Sequence, residues 1–373
     1  MLTNCQCLRI DILQVFHYYT KNSLMVKILH KKNLFQWVDS FSRQYALIGP
    51  VKEGEQIVFQ PLKSPEQLQM DYSSTMLAPR KFIYPSRQLL FRFTPQGDDQ
   101  LITEEILPQN QQILLAIHPC DAHAIMVLDR VLMGESTDSY YMKQRQNTFL
   151  IVLNCQQADK NCFCDSMGTG PFLHSWMGQD PAKGCDLELT DLGDRYLAEF
   201  FNEKLGKLFS FPLEMATKQD IQLKKKKEAK AKEKFTKKLN TENLPSSLLQ
   251  NMEHPVWSRV AEEMCLSCTN CTMVCPTCYC YNTVDTVKLD LSEMERHRHW
   301  DSCQEFHFAE VHGGNFRFTR GARLRQFVLH KLSHWVKQYG CFGCVGCGRC
   351  IDWCPTNIDL TEIAKEIQSI KTQ

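Results

Sequence analysis

The chain has 373 residues, a net charge of +1 and 19 cysteines. That length allows one to three domains, and 43% hydrophobic residues can bury a substantial core. An odd cysteine count with no recognisable secretory leader argues against a small disulfide scaffold and for thiol ligation in a reducing cytoplasm; no apolar run approaches the ~20 residues of a membrane span.

Residues 1–24 read MLTNCQCLRIDILQVFHYYTKNSL and show no cap or turn leading into a fold. The mature chain is expected to start at or near Met25, and Cys5 and Cys7 receive no role. A short amphipathic helix touching a membrane is the alternative reading of this extension. A helix follows from about Leu34 to Tyr45. From Gly49 to Gln96, Pro50, Pro61, Pro65, Pro79 and Pro85 punctuate a strand- and turn-rich stretch. Its strand-like segments are Phe82–Tyr84 and Leu89–Phe93.

Gln112–Ile117 is the kind of apolar run that a strand buried on both faces gives. Ala124, Ile125, Leu128, Val131 and Leu132 then recur at helical spacing, with Asp121 placed to cap that helix. Thr148–Leu153 is a second apolar strand. The three segments predict a βαβ unit with parallel strands. Cys120 and Cys155 follow the carboxyl ends of the two strands, where ligands gather in such sheets. Cys162 and Cys164 continue in the loop after the second strand. Four thiolates are what a [4Fe-4S] cube takes, so Cys120, Cys155, Cys162 and Cys164 are candidates for one. Small packing residues and a zinc site are the other readings. Gly168–Pro171 is the candidate loop for a flavin.

Residues 218–240 hold ten lysines against Asp220, Glu228 and Glu233. The run reads as a solvated linker helix, or as a docking surface for an acidic partner. Phe235 is its one aromatic residue, too few for a nucleic-acid patch.

Two runs share one pattern: Cys265-x2-Cys268-x2-Cys271-x3-Cys275-Pro276 and Cys344-x2-Cys347-x2-Cys350-x3-Cys354-Pro355. Three cysteines at two-residue intervals let one loop point three sulfurs at one face of an iron–sulfur cube. Proline pushes the residue before it toward extended backbone, so the fourth sulfur leaves the loop. In two-cluster ferredoxins that cysteine ligates the other cluster. Cluster I is thus expected on Cys265, Cys268, Cys271 and Cys354, and cluster II on Cys344, Cys347, Cys350 and Cys275. One run alone would leave zinc open; two with the x3 step and the proline favour two [4Fe-4S] clusters.

The 68 residues between the runs hold Cys278, Cys280 and Cys303, with Cys341 just before the second run. Packing against a cluster is the first reading of Cys278 and Cys280; a further metal site with Cys303 is the sharper one. Cys341 is a spare. His307, His312 and His330 read as surface or core residues, and Leu324–Tyr339 as a helix. Gly343, Gly346 and Gly348 stand among the second run's cysteines, where the first has Ser267, Thr269 and Asn270. The two clusters should therefore differ in potential. No Gly-x-Gly-x-x-Gly turn follows a strand, and no nucleophile has a recognisable histidine partner, so no catalytic residue is assigned.

The segments CLSCTNCTMVCPTCYCYNTVD, RHRHWDSC and GCVGCGRCIDWCPTNIDLTE, with HPCDAHAIMVLDRV and NCFCDSMGTGP upstream, resemble the iron–sulfur beta subunit of soluble sulfhydrogenases, which are multi-subunit [NiFe] hydrogenases. They are also similar to the iron–sulfur subunit of anaerobic sulfite reductase. The resemblance runs from about Trp37 to the C-terminus. It implies an electron-relay subunit beside a flavin subunit that handles NAD(P)H, feeding a hydrogenase or a sirohaem reductase. The expected architecture is mixed α+β and α/β. An N-terminal α/β domain over 25–215 has a partly parallel sheet, and a lysine-rich helical linker follows over 216–250. Residues 251–373 form a helical, two-[4Fe-4S] ferredoxin-type domain with a long insertion. A flavin-binding reductase and a zinc-binding structural module are the competing functions.

Overall fold

The computed structural model describes residues 25–96, 100–202, 205 and 211–369. The extension 1–24, on which the expected start at Met25 turns, lies outside the described residues. Among the described residues ten strands precede the cysteine runs: β1 (Met25–His30), β2 (Ala46–Glu53), β3 (Gln56–Pro61), β4 (Arg87–Gln96), β5 (Gln100–Glu105), β6 (Gln112–Ile117), β7 (Thr148–Leu153), β8 (Leu187–Asp191), β9 (Arg195–Phe200) and β10 (Glu214–Met215). Among the described residues four more lie between the runs: β11 (Tyr281–Val287), β12 (Met294–Trp300) and the short pair β13 (Glu310–Val311) and β14 (Gly314–Asn315).

The main sheet has eight strands in the order β10-β1-β9-β8-β7-β6-β2-β3. Its centre is parallel, β2 to β6 to β7 to β8, and its margins are antiparallel. β6 and β7 read as apolar runs because both of their faces are covered. Helix Leu34–Ser42 covers one face with Trp37, Val38 and Phe41, against Ile113, Leu115 and Ile151. Helices Pro119–Leu132 and Ser139–Gln146 cover the other, with Ile125, Leu128 and Tyr141 against Leu114, Leu150 and Val152. The βαβ unit is present, with Ser139–Gln146 as a second helix in the crossover.

Three details differ from the sequence reading. Phe82–Tyr84 is not a strand: Pro79 opens a 3-10 turn over Pro79–Phe82, and Ile83 and Tyr84 are buried behind it. Asp121 does not cap its helix, because His118 holds the cap position and Pro119 opens the first turn. The insertion between the cysteine runs carries a hairpin, β11 with β12, that joins β4 and β5 in a second sheet of order β11-β12-β4-β5. Chain segments about two hundred residues apart, Arg87–Phe93 and Met294–His299, thus pair directly.

The C-terminal helices Val256–Glu263, Arg320–Leu329 and Leu360–Gln368 share a core built on Trp257, Phe327, Trp335 and Ile363. A π-helical turn, His330–His334, continues the second of these into Trp335–Tyr339. Ala124 and Val127 enter the same core from the far side of helix Pro119–Leu132. That helix is therefore packed between the main sheet and the cysteine-rich part, and it seats Cys120 at their joint. The lysine-rich segment is packed as well. Helix Lys218–Lys232 lays Lys224 between Glu188 and Glu199, and Leu239, Leu244 and Leu248 enter the C-terminal core.

Candidate iron–sulfur sites

The twin cysteine loops repeat one backbone shape. Ser267 and Thr269 in the first loop have φ of 53° and 67°; Gly346 and Gly348 in the second have 66° and 78°. A left-handed conformation costs a residue with a side chain roughly 1–2 kcal/mol. Its recurrence at Ser267 and Thr269 marks a shape that the site demands. Each loop runs into one helical turn, Asn270–Met273 or Arg349–Asp352. The amide of Ser267 donates to Cys265 Sγ, and that of Gly346 to Cys344 Sγ, both at 3.4 Å. The Cys-Pro-Thr ends match too: Thr277 Oγ1 is 3.3 Å from Cys275 Sγ and Thr356 Oγ1 is 3.4 Å from Cys354 Sγ. Hydrogen bonds of this kind stabilise ligating sulfur and tune a cluster's potential.

One cavity is lined by Cys265, Cys268 and Cys271 of the first run and by Cys350 and Cys354 of the second. Cys354 thus shares a cavity with the three cysteines of the first loop. Burial pushes the Cys344 thiol up to about 12, helped by neighbouring Cys275. Burial and the nearby Cys344, Cys275, Cys347 and Cys271 push Cys350 well above its ordinary value. Cys275 is thus near Cys344 and Cys350 of the second run and near Cys271 of the first. Thiols crowded in this way resist ionising together, and a cation between them reverses that.

A second cavity is lined by Cys120, Cys155, Cys162 and Cys164, together with His118, Phe235, Cys347 and Arg349. The sheet brings the four together. Ala116 takes φ of 56°, and the β6–β7 register shifts there, so the chain leaves the strand re-aimed. His118 fixes the exit: its Nδ1 is 3.1 Å from Leu153 O at the end of β7, and its Nε2 is 3.1 Å from Tyr72 O. Cys120 follows in the first helical turn. Cys155 leaves β7 beside it, and burial pushes its thiol up to about 12. Cys164 donates to Cys120, and that bond with burial raises it well above the thiol range. Gly170 is required here, since a Cβ on it would lie 2.7 Å from Cys164 Sγ. The loop Gly168–Pro171 thus closes over the cysteines.

This second cavity abuts the second cysteine run. Phe163 N donates to Gly346 O at 2.8 Å, and Thr169 Oγ1 to Val345 O at 2.6 Å. A Cβ on Gly346 would lie 2.7 Å from the backbone of Cys164. Arg349 crosses the joint to Asp121.

Every sulfur donor around the two cavities is a cysteine thiol, the donor that [4Fe-4S] clusters use. Amide donors and a glycine-lined cradle stand beside them, so the residues fit such groups. Among the described residues no three His, Cys, Asp or Glu side chains draw together as on a single ion; the thiols stand around cavities instead.

The remaining cysteines separate. Cys280 accepts a hydrogen bond from Cys303, which brings it down to about 7 against burial. Cys278 instead donates to Cys275, and with the buried Lys331 ammonium it holds that thiol well below its usual value. Cys280 is thus paired with Cys303, and Cys278 with Cys275. Cys341 is buried near Arg130. His330 packs on Tyr279 and Trp335, and exposed His307 pairs with Glu310. The site residues that sequence reasoning missed are Arg349 and Lys331, whose ammonium donates to Thr277 Oγ1 at 2.8 Å. Aligning the two runs offered one signal, for Arg349 stands where the first has Asn270.

Comparison with known proteins agrees with this geometry. Residues 264–358 match the 4Fe-4S dicluster domain family. No solved structure matches the chain. Sulfhydrogenase 2 subunit beta of Pyrococcus furiosus is 32% identical over 345 residues, which is 91% of this chain and 97% of that protein. With that identity over nearly the whole of both chains, and twin cysteine loops inside a dicluster domain, the chain belongs to the family of iron–sulfur sulfhydrogenase beta subunits.

Proposed function

We propose that this chain is the electron relay of a multi-subunit cytoplasmic oxidoreductase, carrying three [4Fe-4S] clusters between a flavin subunit that uses NAD(P)H and a hydrogenase catalytic subunit. Cluster I is held by Cys265, Cys268, Cys271 and Cys354. Cluster II is held by Cys344, Cys347, Cys350 and Cys275. The third centre is held by Cys120, Cys155, Cys162 and Cys164. The clusters supply one-electron carriers; the chain sets their cavities side by side along the second loop. The observation that carries the reading is the shared lining of the cavities. Cys350 faces the first cavity, and Cys347 of the same loop faces the second. Cluster II therefore sits between the other two. Cys268 is exposed, with exposed Leu266 beside it, which puts cluster I at a surface where electrons can enter or leave. A hydrogenase rather than a sulfite reductase partner is favoured because the relative matched along nearly its whole length is named a sulfhydrogenase subunit. Among the described residues no helix is long and apolar enough to cross a membrane.

The test is made on the assembled complex. Cys120→Ser with Cys155→Ser should slow NAD(P)H-linked turnover at least about tenfold, a barrier change of about 1.4 kcal/mol. Dye-linked activity of each partner subunit should stay at the wild-type level. Undiminished NAD(P)H-linked turnover would place the third cysteine set outside the relay.

A further inference from the structure

Lys331 is a buried cation without an acid. It sits in the π-helical turn His330–His334 and is only 3% exposed. Such turns are rare and gather at functional sites. Its ammonium donates to Thr277 Oγ1 at 2.8 Å and lies 5.0 Å from the centre of the Trp335 ring. The thiols of Cys275, Cys278 and Cys280 stand around it. Other buried cations have partners of full charge: Lys224 has Glu188 and Glu199, Arg145 has Asp129, and Arg349 has Asp121. Arg80 and Arg323 spread their donors over backbone carbonyls. Lys331 has no carboxylate among the described residues. A lysine is almost never fully buried unless it is paired, because an unpaired buried charge is expensive.

Two of the four cysteines assigned to cluster II are tied to this residue. Thr277 Oγ1, which accepts from the ammonium, is 3.3 Å from Cys275 Sγ. The same hydroxyl donates to Gly343 O at 2.6 Å, and Gly343 N donates to Lys331 O at 2.8 Å. Gly343 directly precedes Cys344. A Cβ on Gly343 would lie 2.8 Å from the Trp335 ring, so the second loop starts flush against the wall of the lysine's pocket. A cube held by four thiolates is an anion, and reduction adds one more negative charge. A cation beside it favours that added electron, the more so where little water screens the two. We propose that Lys331 is the counter-ion of cluster II: its fixed charge favours the reduced cluster and raises the potential above the value the same loop would give without it. The inference rests on the reading above that Cys275 and Cys344 ligate one cluster. Lys331 is a positioning residue here. One electron arrives from a neighbouring cluster of the relay, no bond forms or breaks, and no proton moves.

The experiment is dye-mediated potentiometry followed by electron paramagnetic resonance on the full chain, purified anaerobically with its clusters. The signal lost or altered in both Cys275→Ser and Cys344→Ser is that of cluster II. Lys331→Met removes the charge and keeps the length of the side chain. It should lower the midpoint of that signal, changing the oxidised-to-reduced ratio at a set potential at least about tenfold, which is about 59 mV for one electron. Lys331→Gln keeps a donor for Thr277 without the charge and should lower the midpoint as well. Lys337→Met removes an exposed lysine from helix Trp335–Tyr339 and should leave the midpoint unmoved. An unmoved midpoint in Lys331→Met would overturn the inference, and the ammonium would then answer a free thiolate such as Cys278. A wild-type midpoint in Lys331→Gln would show a hydrogen bond acting rather than a charge, and would overturn it too. So would an equal fall in Lys337→Met. If Lys331→Met does not load its clusters, Lys331→Gln decides alone. If Cys275→Ser and Cys344→Ser remove different signals, the ligand reading fails and takes this inference with it. One shared signal that ignores Lys331 sinks this inference alone.

Discussion

At the scale of single residues, the joint between the two cysteine-rich loops is set by what is missing from Gly346. Its φ is +66°, and a Cβ there would meet Cys164 N and Cα at 2.7 Å. Gly54 supplies a control, with φ of +62° and nothing within 4 Å of an added Cβ. Gly54→Ala should cost only the left-handed strain, about 1–2 kcal/mol. Gly346→Ala adds a backbone clash that no side-chain rotation relieves, about 1–3 kcal/mol more. The expected outcome is a larger fall in thermal midpoint for Gly346→Ala, together with loss of roughly four iron per chain, the content of one cube. Equal midpoints and full iron in both variants would show that the loops do not depend on this approach.

At the scale of elements, helix Lys218–Lys232 shows how position divides chemically identical side chains. Lys224 lies between the buried carboxylates of Glu188, 2.8 Å away, and Glu199, while Lys225, Lys226 and Lys230 are exposed. Burial raises the Glu199 carboxyl, against the pull of Lys224, and the two acids hold the Lys224 ammonium above its ordinary range. Lys224→Met leaves two buried carboxylates without their cation and should cost about 3–5 kcal/mol. Lys225→Met should stay within about 0.5 kcal/mol. Denaturant unfolding of both variants checks this, and similar midpoints would contradict it. The sequence could not single out Lys224, because its two acids come from strands β8 and β9 and leave no trace in a run of identical residues. The same limit hid the β11–β12 hairpin's attachment to β4. By contrast the central strands were legible, since Gln112–Ile117 and Thr148–Leu153 are covered on both faces and so lack polar alternation. Phe82–Tyr84 misled for the opposite reason: between Pro79 and Pro85, Ile83 and Tyr84 are buried by a turn, not by a strand.

For the whole molecule, the order of its cysteines along the chain is not their order in space. Cys350 faces the cavity of the first run, and Cys347 faces the cavity of Cys120, Cys155, Cys162 and Cys164. The second loop is thereby the middle of a line that starts at exposed Cys268. The cysteine spacings made the twin loops readable, because one tight loop must present three sulfurs. The βαβ unit made the third set readable, because a parallel sheet puts both strand ends on one edge. The Arg349–Asp121 grip was not readable: 228 residues separate its partners. The central claim is that this line holds three clusters. Iron and acid-labile sulfide per full-length chain, purified without oxygen, test it most directly. The account predicts about twelve of each, falling to about eight in Cys120→Ser with Cys155→Ser while both ferredoxin-type signals persist. About eight in the wild type, or iron unchanged in that variant, would contradict it.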